Sequence, residues 1–166
     1  PPSGEMVPPE GYRPIAESEV SDHWRFLSDE ESEYPDHSRW MADNFPTPDR
    51  AEGDFDGDGE LDQARLWIHE TDERWVLMAY LSSMPDSAIT LYESDRRIEL
   101  GNRPIRAIPP GDHKTDRYYG LEGGGPDTTA ILHLTHHAIN LGRSESEGTT
   151  YVWNPETRAF DAIGMY

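Results

Sequence analysis

From residue 63 onward, apolar residues recur at alternate positions in short runs separated by turn residues, which is the period of a half-buried strand. The clearest run is Gln63-Ala64-Arg65-Leu66-Trp67-Ile68-His69, in which Ala64, Leu66 and Ile68 share one face. Similar runs cover 74–81, 88–92, 104–108, 129–135, 138–141, 149–153 and 158–163. Turn residues such as Thr71-Asp72-Glu73 and Ser83-Met84-Pro85-Asp86-Ser87 separate them, and the last two form a hairpin around Asn154-Pro155. Eight such strands predict a mainly β fold with antiparallel pairing: a sandwich, a barrel or a meander.

The N-terminal third is patterned differently. Residues 1–18 contain five prolines and read as an extended arm preceding a single β-rich domain over 19–166. Ser21-Asp22-His23-Trp24-Arg25-Phe26-Leu27 has the cap and spacing of a short amphipathic helix. The acid-rich stretch 28–36 reads as loop, after which Trp40, Met41 and Phe45 bring the chain back to the core.

Charge narrows the function. The 166 residues hold 33 Asp and Glu against 14 Lys and Arg, a formal charge of -19, which excludes the basic surface that nucleic acid requires. Lys114 is the single lysine among the 14 basic residues, and such a surface suits a salty or calcium-containing exterior. Cysteine is absent, so a disulfide framework, a thiolate metal site and a cysteine nucleophile are all excluded. No apolar run has the length of a membrane span. The opening residues have neither a charged nor an apolar leader region, so the expectation is an extracytoplasmic protein, periplasmic or secreted, whose signal peptide or lipid-bearing residue lay upstream.

One segment carries specific chemistry. Asp54-Phe55-Asp56-Gly57-Asp58-Gly59-Glu60-Leu61-Asp62 places carboxylates at alternating positions of a tight loop, where they can converge on a hard cation that takes six to eight oxygens. Asp54, Asp56, Asp58 and Asp62 supply side chains, and the Glu60 carbonyl supplies a backbone ligand. Gly59 stands where the chain turns sharply and a side chain would clash. The expected ion is calcium. A helix-loop-helix calcium hand is closed at its twelfth position by a bidentate Glu, which is here Arg65, and residues 63–69 carry the period of a strand, so that variant is excluded. A metal-free acidic turn is the alternative, but these carboxylates would repel one another with only Arg50 and Arg65 nearby to offset them.

The run Gly53-Asp54-Phe55-Asp56-Gly57-Asp58-Gly59, leading through Asp62 into an apolar strand, resembles the calcium loops of integrin-type FG-GAP and VCBS repeats. The resemblance covers about fifteen residues; it implies calcium and a strand-linked site, and little about activity. The single copy argues against a propeller built from repeats of this motif. The ending Thr150-Tyr151-Val152-Trp153-Asn154-Pro155-Glu156-Thr157-Arg158-Ala159-Phe160 is similar to that of small secreted bacterial calcium-loop proteins of uncharacterised function. Some periplasmic immunity or inhibitor proteins look similar in outline, which implies a protein or cell-envelope partner.

A second candidate region is the long Gly-rich stretch 109–126, where His113, Lys114, Arg117, Tyr118 and Tyr119 offer the residue types that anchor protein interfaces. A mobile surface loop is its plainer interpretation. His133, His136 and His137 suggest a second metal site, yet on one strand His133 and His137 would stand about 13 Å apart with His136 on the opposite face. Catalytic motifs are lacking: there is no Gly-x-Ser-x-Gly elbow, phosphate loop or His-Glu-x-x-His helix. The sequence therefore favours a non-enzymatic calcium-binding domain, with a metal-dependent hydrolase acting on an envelope substrate as the alternative.

Overall fold

The computed structural model describes residues 6–15, 43–114, 131–143 and 146–164. These residues form a mainly β structure with antiparallel sheets, none closed into a barrel. The expected helix at 21–27 lies outside the described residues, as do Trp40 and Met41.

One sheet contains β1 (Tyr12–Pro14), β2 (Arg50–Gly53), β3 (Asp62–His69), β4 (Trp75–Tyr80) and β5 (Ile89–Ser94). β3 is its organising strand. Its first half pairs with β2, from Gly53 opposite Asp62 to Arg50 opposite Arg65, and its second half pairs with β1, from Pro14 opposite Trp67 to Tyr12 opposite His69. On its other side β4 places Ala79 opposite Ala64, Leu77 opposite Leu66 and Trp75 opposite Ile68, so the alternation read from the sequence becomes one apolar face.

The second sheet has the order β11 (Ala159–Gly164), β10 (Ser146–Asn154), β9 (Ala138–Arg143), β6 (Ile105–Ile108). β7 (Gly111–Lys114) and β8 (Ile131–Leu134) form a third, two-stranded sheet. Ile108 pairs with Ala138 and Gly111 with Leu134, so β6–β7 and β8–β9 run on as one ribbon, interrupted by Pro109-Pro110 on one side and Thr135-His136-His137 on the other. Proline has no amide to give a ladder, which accounts for the first interruption.

The two larger sheets share one core. Leu66, Ile68, Trp75 and Leu77 from the first pack with Ile105, Ile139, Leu141 and Trp153 from the second. Trp75 lies 5.2 Å from Tyr92, and Trp153 meets Phe160 edge-on at 5.2 Å. Each fully buried large apolar side chain contributes about 1.5–3 kcal/mol relative to exposure, so this layer is the main stabilising element. β2 also lies against β6, and the Ile105 amide donates to the Pro48 carbonyl at 2.9 Å, tying the sheets together at one edge.

The first sheet is covered on its outer face as well. Trp67, Val76 and Met78 are buried there beneath Met6, Tyr12 and Tyr80. The Trp67 indole donates to the Tyr80 hydroxyl at 2.8 Å, and that hydroxyl donates to the Val7 carbonyl at 3.1 Å. Burial raises the Tyr80 pKa above its ordinary value. The described residues 6–15 turn at Glu10-Gly11, where the Tyr12 amide donates to the Pro9 carbonyl at 3.0 Å, and then contribute an edge strand, where Pro14 is tolerated.

Candidate metal centre

The acidic loop connects β2 to β3 and closes a hairpin, with Gly53 and Asp62 facing each other across the ladder at its base. Phe55 is fully buried and pins the loop to the core, while Gly57 and Gly59 adopt left-handed conformations with φ of 77° and 86°. Gly59 differs from expectation in one respect. A Cβ there would meet nothing within 4 Å, so its backbone conformation, not a clash, requires glycine.

The turns bring Asp54, Asp56, Asp58 and Asp62 together, with one carboxylate oxygen from each lying within 4.8 Å of the others. Oxygens on opposite sides of an ion with bonds of 2.3–2.6 Å stand about 5 Å apart, so this set fits one coordination shell. Among the described residues these four form a group that could hold a metal ion. The Glu60 side chain is exposed and lies outside the group, and its amide donates to Asp58 at 2.9 Å.

Backbone amides orient the carboxylates. Asp54 accepts from the amides of Gly57, Asp58 and Gly59 at 2.9–3.1 Å. Asp62, fully buried, accepts from the Phe55 amide at 2.8 Å, the Ser82 amide at 2.8 Å and the Ser82 hydroxyl at 3.0 Å. Oδ1 of Asp54 and Oδ1 of Asp62 each accept two of these bonds and the matching Oδ2 accepts one, so each Oδ2 keeps a lone pair for an ion. Asp56 accepts from the Ser83 hydroxyl at 2.6 Å. Burial pushes its carboxyl up to about 6; the Ser83 hydrogen bond opposes this and the charge of Asp62 adds to it. The two arginines expected to offset the cluster are engaged elsewhere: Arg50 stands 3.8 Å from Asp49, and Arg65 lies over the Trp67 ring.

Three further segments meet the loop. Ser82 and Ser83 come from the turn after β4. From the turn between β8 and β9, the His137 amide donates to the Asp54 carbonyl at 3.1 Å, His136 lies against Gly57, and the Gly53 Cα faces the His137 ring. A Cβ on Gly53 would come within 2.9 Å of His137, so glycine permits this close approach.

The histidines are therefore divided rather than joined. A turn separates β8 from β9 and directs His136 and His137 toward the acidic loop, while His133 pairs with Asp112 at the exposed surface. In the second candidate region, His113 and Lys114 lie on β7, where the His113 imidazole bonds the Pro109 carbonyl at 2.9 Å. Arg117, Tyr118 and Tyr119 lie outside the described residues. Sequence reasoning missed Ser82, Ser83, His136 and His137 as neighbours of the aspartates, because only the fold brings them there.

No family model, curated protein or solved structure matches the chain.

Proposed function

We propose that the chain is a non-enzymatic extracytoplasmic β-domain, braced by calcium, that binds a protein or cell-envelope partner in the manner of an inhibitor or immunity protein. The observation that carries the brace is the position of the aspartate cluster. It lies where the β2–β3 loop, the turn after β4 and the β8–β9 turn of the other sheet meet. All four ligands come from the β2–β3 loop, so an ion there would fix the loop that touches the other two segments, and its binding energy becomes folding energy.

The donor set supports calcium over other metals. All the converging side-chain ligands are carboxylates, which suit hard cations, and four of them from one loop suit calcium, which takes six to eight oxygens, better than magnesium, which keeps several waters and is bound through one or two carboxylates. Loops of this class fill where free calcium is high, which supports an extracytoplasmic home. Among the described residues no helix is long and apolar enough to cross a membrane.

The non-enzymatic part is supported by how the aspartates are used: each of the four accepts a backbone amide of its own loop, and Asp62 is fully buried as well. The partner surface in this proposal includes the β7–β8 ribbon, with His113 and Lys114 and the Arg117, Tyr118 and Tyr119 segment beyond it. Affinity capture from envelope fractions, run with calcium and with EGTA, tests the reading. A partner retained only with calcium is expected. Hydrolysis of peptidoglycan, glycans or phosphoesters that is lost on Asp58→Ala with the fold intact would overturn it.

A further inference from the structure

At the end of the first sheet remote from the acidic loop, a cleft of about 430 Å³ opens between β1, the β3–β4 turn and the end of β5. Its volume lies within the range of ligand-binding pockets. Tyr12, Arg74, Glu93, Asp95, Arg96 and Glu99 line it. The charges do not all cancel. Arg74 is held by Asp72 at 2.9 Å, and Arg96 stands 3.6 Å from Glu99, which also accepts from the Ser94 hydroxyl at 2.9 Å. The side chains of Glu93 and Asp95 are exposed and make no hydrogen bond or ion pair among the described residues.

We infer that this cleft docks a cationic side chain, arginine or lysine, of the partner protein. Two uncompensated carboxylates beside a tyrosine ring match a guanidinium or ammonium group, which carries several N–H donors and stacks on aromatic faces. A metal ion fits less well, since among the described residues only the Asp54 group converges closely enough. A small polyamine also fits less well, because Ile98, 83% exposed, stands next to Glu99 and gives the cleft an apolar neighbour. The formal charge of -19 steers a basic partner toward the domain.

The inference rests on the reading that the domain binds a protein partner, and it assigns that partner a basic contact residue and a place. The probe is a blocked, fluorescein-labelled peptide of alternating leucine and arginine, titrated by anisotropy into the calcium-loaded full chain. Glu93→Gln/Asp95→Asn should weaken binding by about tenfold or more, equivalent to about 1.4 kcal/mol. Ile98→Ser should weaken it several-fold. The charge-matched control Asp86→Asn/Glu156→Gln, at exposed positions elsewhere, should bind as the parent does. Equal weakening in the control, or none in the cleft variant, would overturn the inference by showing attraction to net charge alone. Envelope capture separates the two claims. A partner still captured by the cleft variant sinks the cleft and leaves the binding function standing, whereas cleft-dependent peptide binding without any envelope partner does the reverse.

Discussion

Replacing Asp62 with alanine separates the structural work of the acidic loop from any contribution of a bound ion. In the folded protein Asp62 is fully buried and accepts three hydrogen bonds, from the Phe55 amide, the Ser82 amide and the Ser82 hydroxyl. Hydrogen bonds to a charged acceptor contribute about 1.5–3 kcal/mol each, and a buried amide left unpaired costs about 1–3 kcal/mol. The bonds share one acceptor and are not additive, so the cost is set at about 3–5 kcal/mol, the usual result of removing one partner from a buried charged network. For a chain of this size that corresponds to roughly 6–20 °C in Tm. Asp58→Ala is the internal comparison. Asp58 is exposed and accepts one amide, from Glu60, so without metal its loss should cost only about 1 kcal/mol. Thermal and urea unfolding in EGTA, where no ion contributes, reads the difference directly. If Asp62→Ala proved no less stable than Asp58→Ala under those conditions, the view of Asp62 as the anchor of the loop would be refuted.

With calcium added, Asp58→Ala should fail to gain the stabilisation that the parent protein gains, which differential scanning calorimetry would detect. Calcium affinity should depend on pH. The ion needs an ionised Asp56, whose carboxyl is pushed up to about 6, so affinity should be flat above pH 7 and fall by about tenfold per pH unit below 6. The raised pKa also means that this group favours the metal-free folded state below about pH 4, and that contribution is lost as pH rises through about 6. Calcium titration calorimetry at several pH values would contradict this if affinity stayed constant down to pH 5. Gly57→Ala should destabilise through both its positive φ and the 3.0 Å approach to His136, and His136→Ala should relieve part of that cost in the double variant. Simple additivity in that cycle would argue against contact between the loop and the β8–β9 turn.

The strands that could be read from sequence are those whose apolar residues mark them off from the turns. Ala64, Leu66 and Ile68 announced β3 because all three face the common core. β1, β2 and β7 (Tyr12-Arg13-Pro14, Arg50-Ala51-Glu52-Gly53 and Gly111-Asp112-His113-Lys114) hold too few apolar residues to stand out from loop, whereas the equally short β6 and β8 (Ile105-Arg106-Ala107-Ile108 and Ile131-Leu132-His133-Leu134) are marked by theirs. The acidic loop was legible because its four aspartates lie close together in the sequence, at a spacing that lets their carboxylates converge. Its neighbours were not. Ser82 and Ser83 arrive from 20 and 27 residues away, and the His136-His137 pair from the turn between β8 and β9. On an uninterrupted strand His136 and His137 would have pointed apart, and only the break before Ala138 turns both toward the loop.

The most direct test of the central claim is the thermal unfolding of the full chain in EGTA, followed by addition of calcium, magnesium or zinc. Calcium at a hundred times its Kd should stabilise the fold by about 2.7 kcal/mol, raising Tm by about 5–11 °C, with a smaller response to magnesium and none to zinc. An unchanged Tm with calcium, or a rise with zinc alone, would contradict the account.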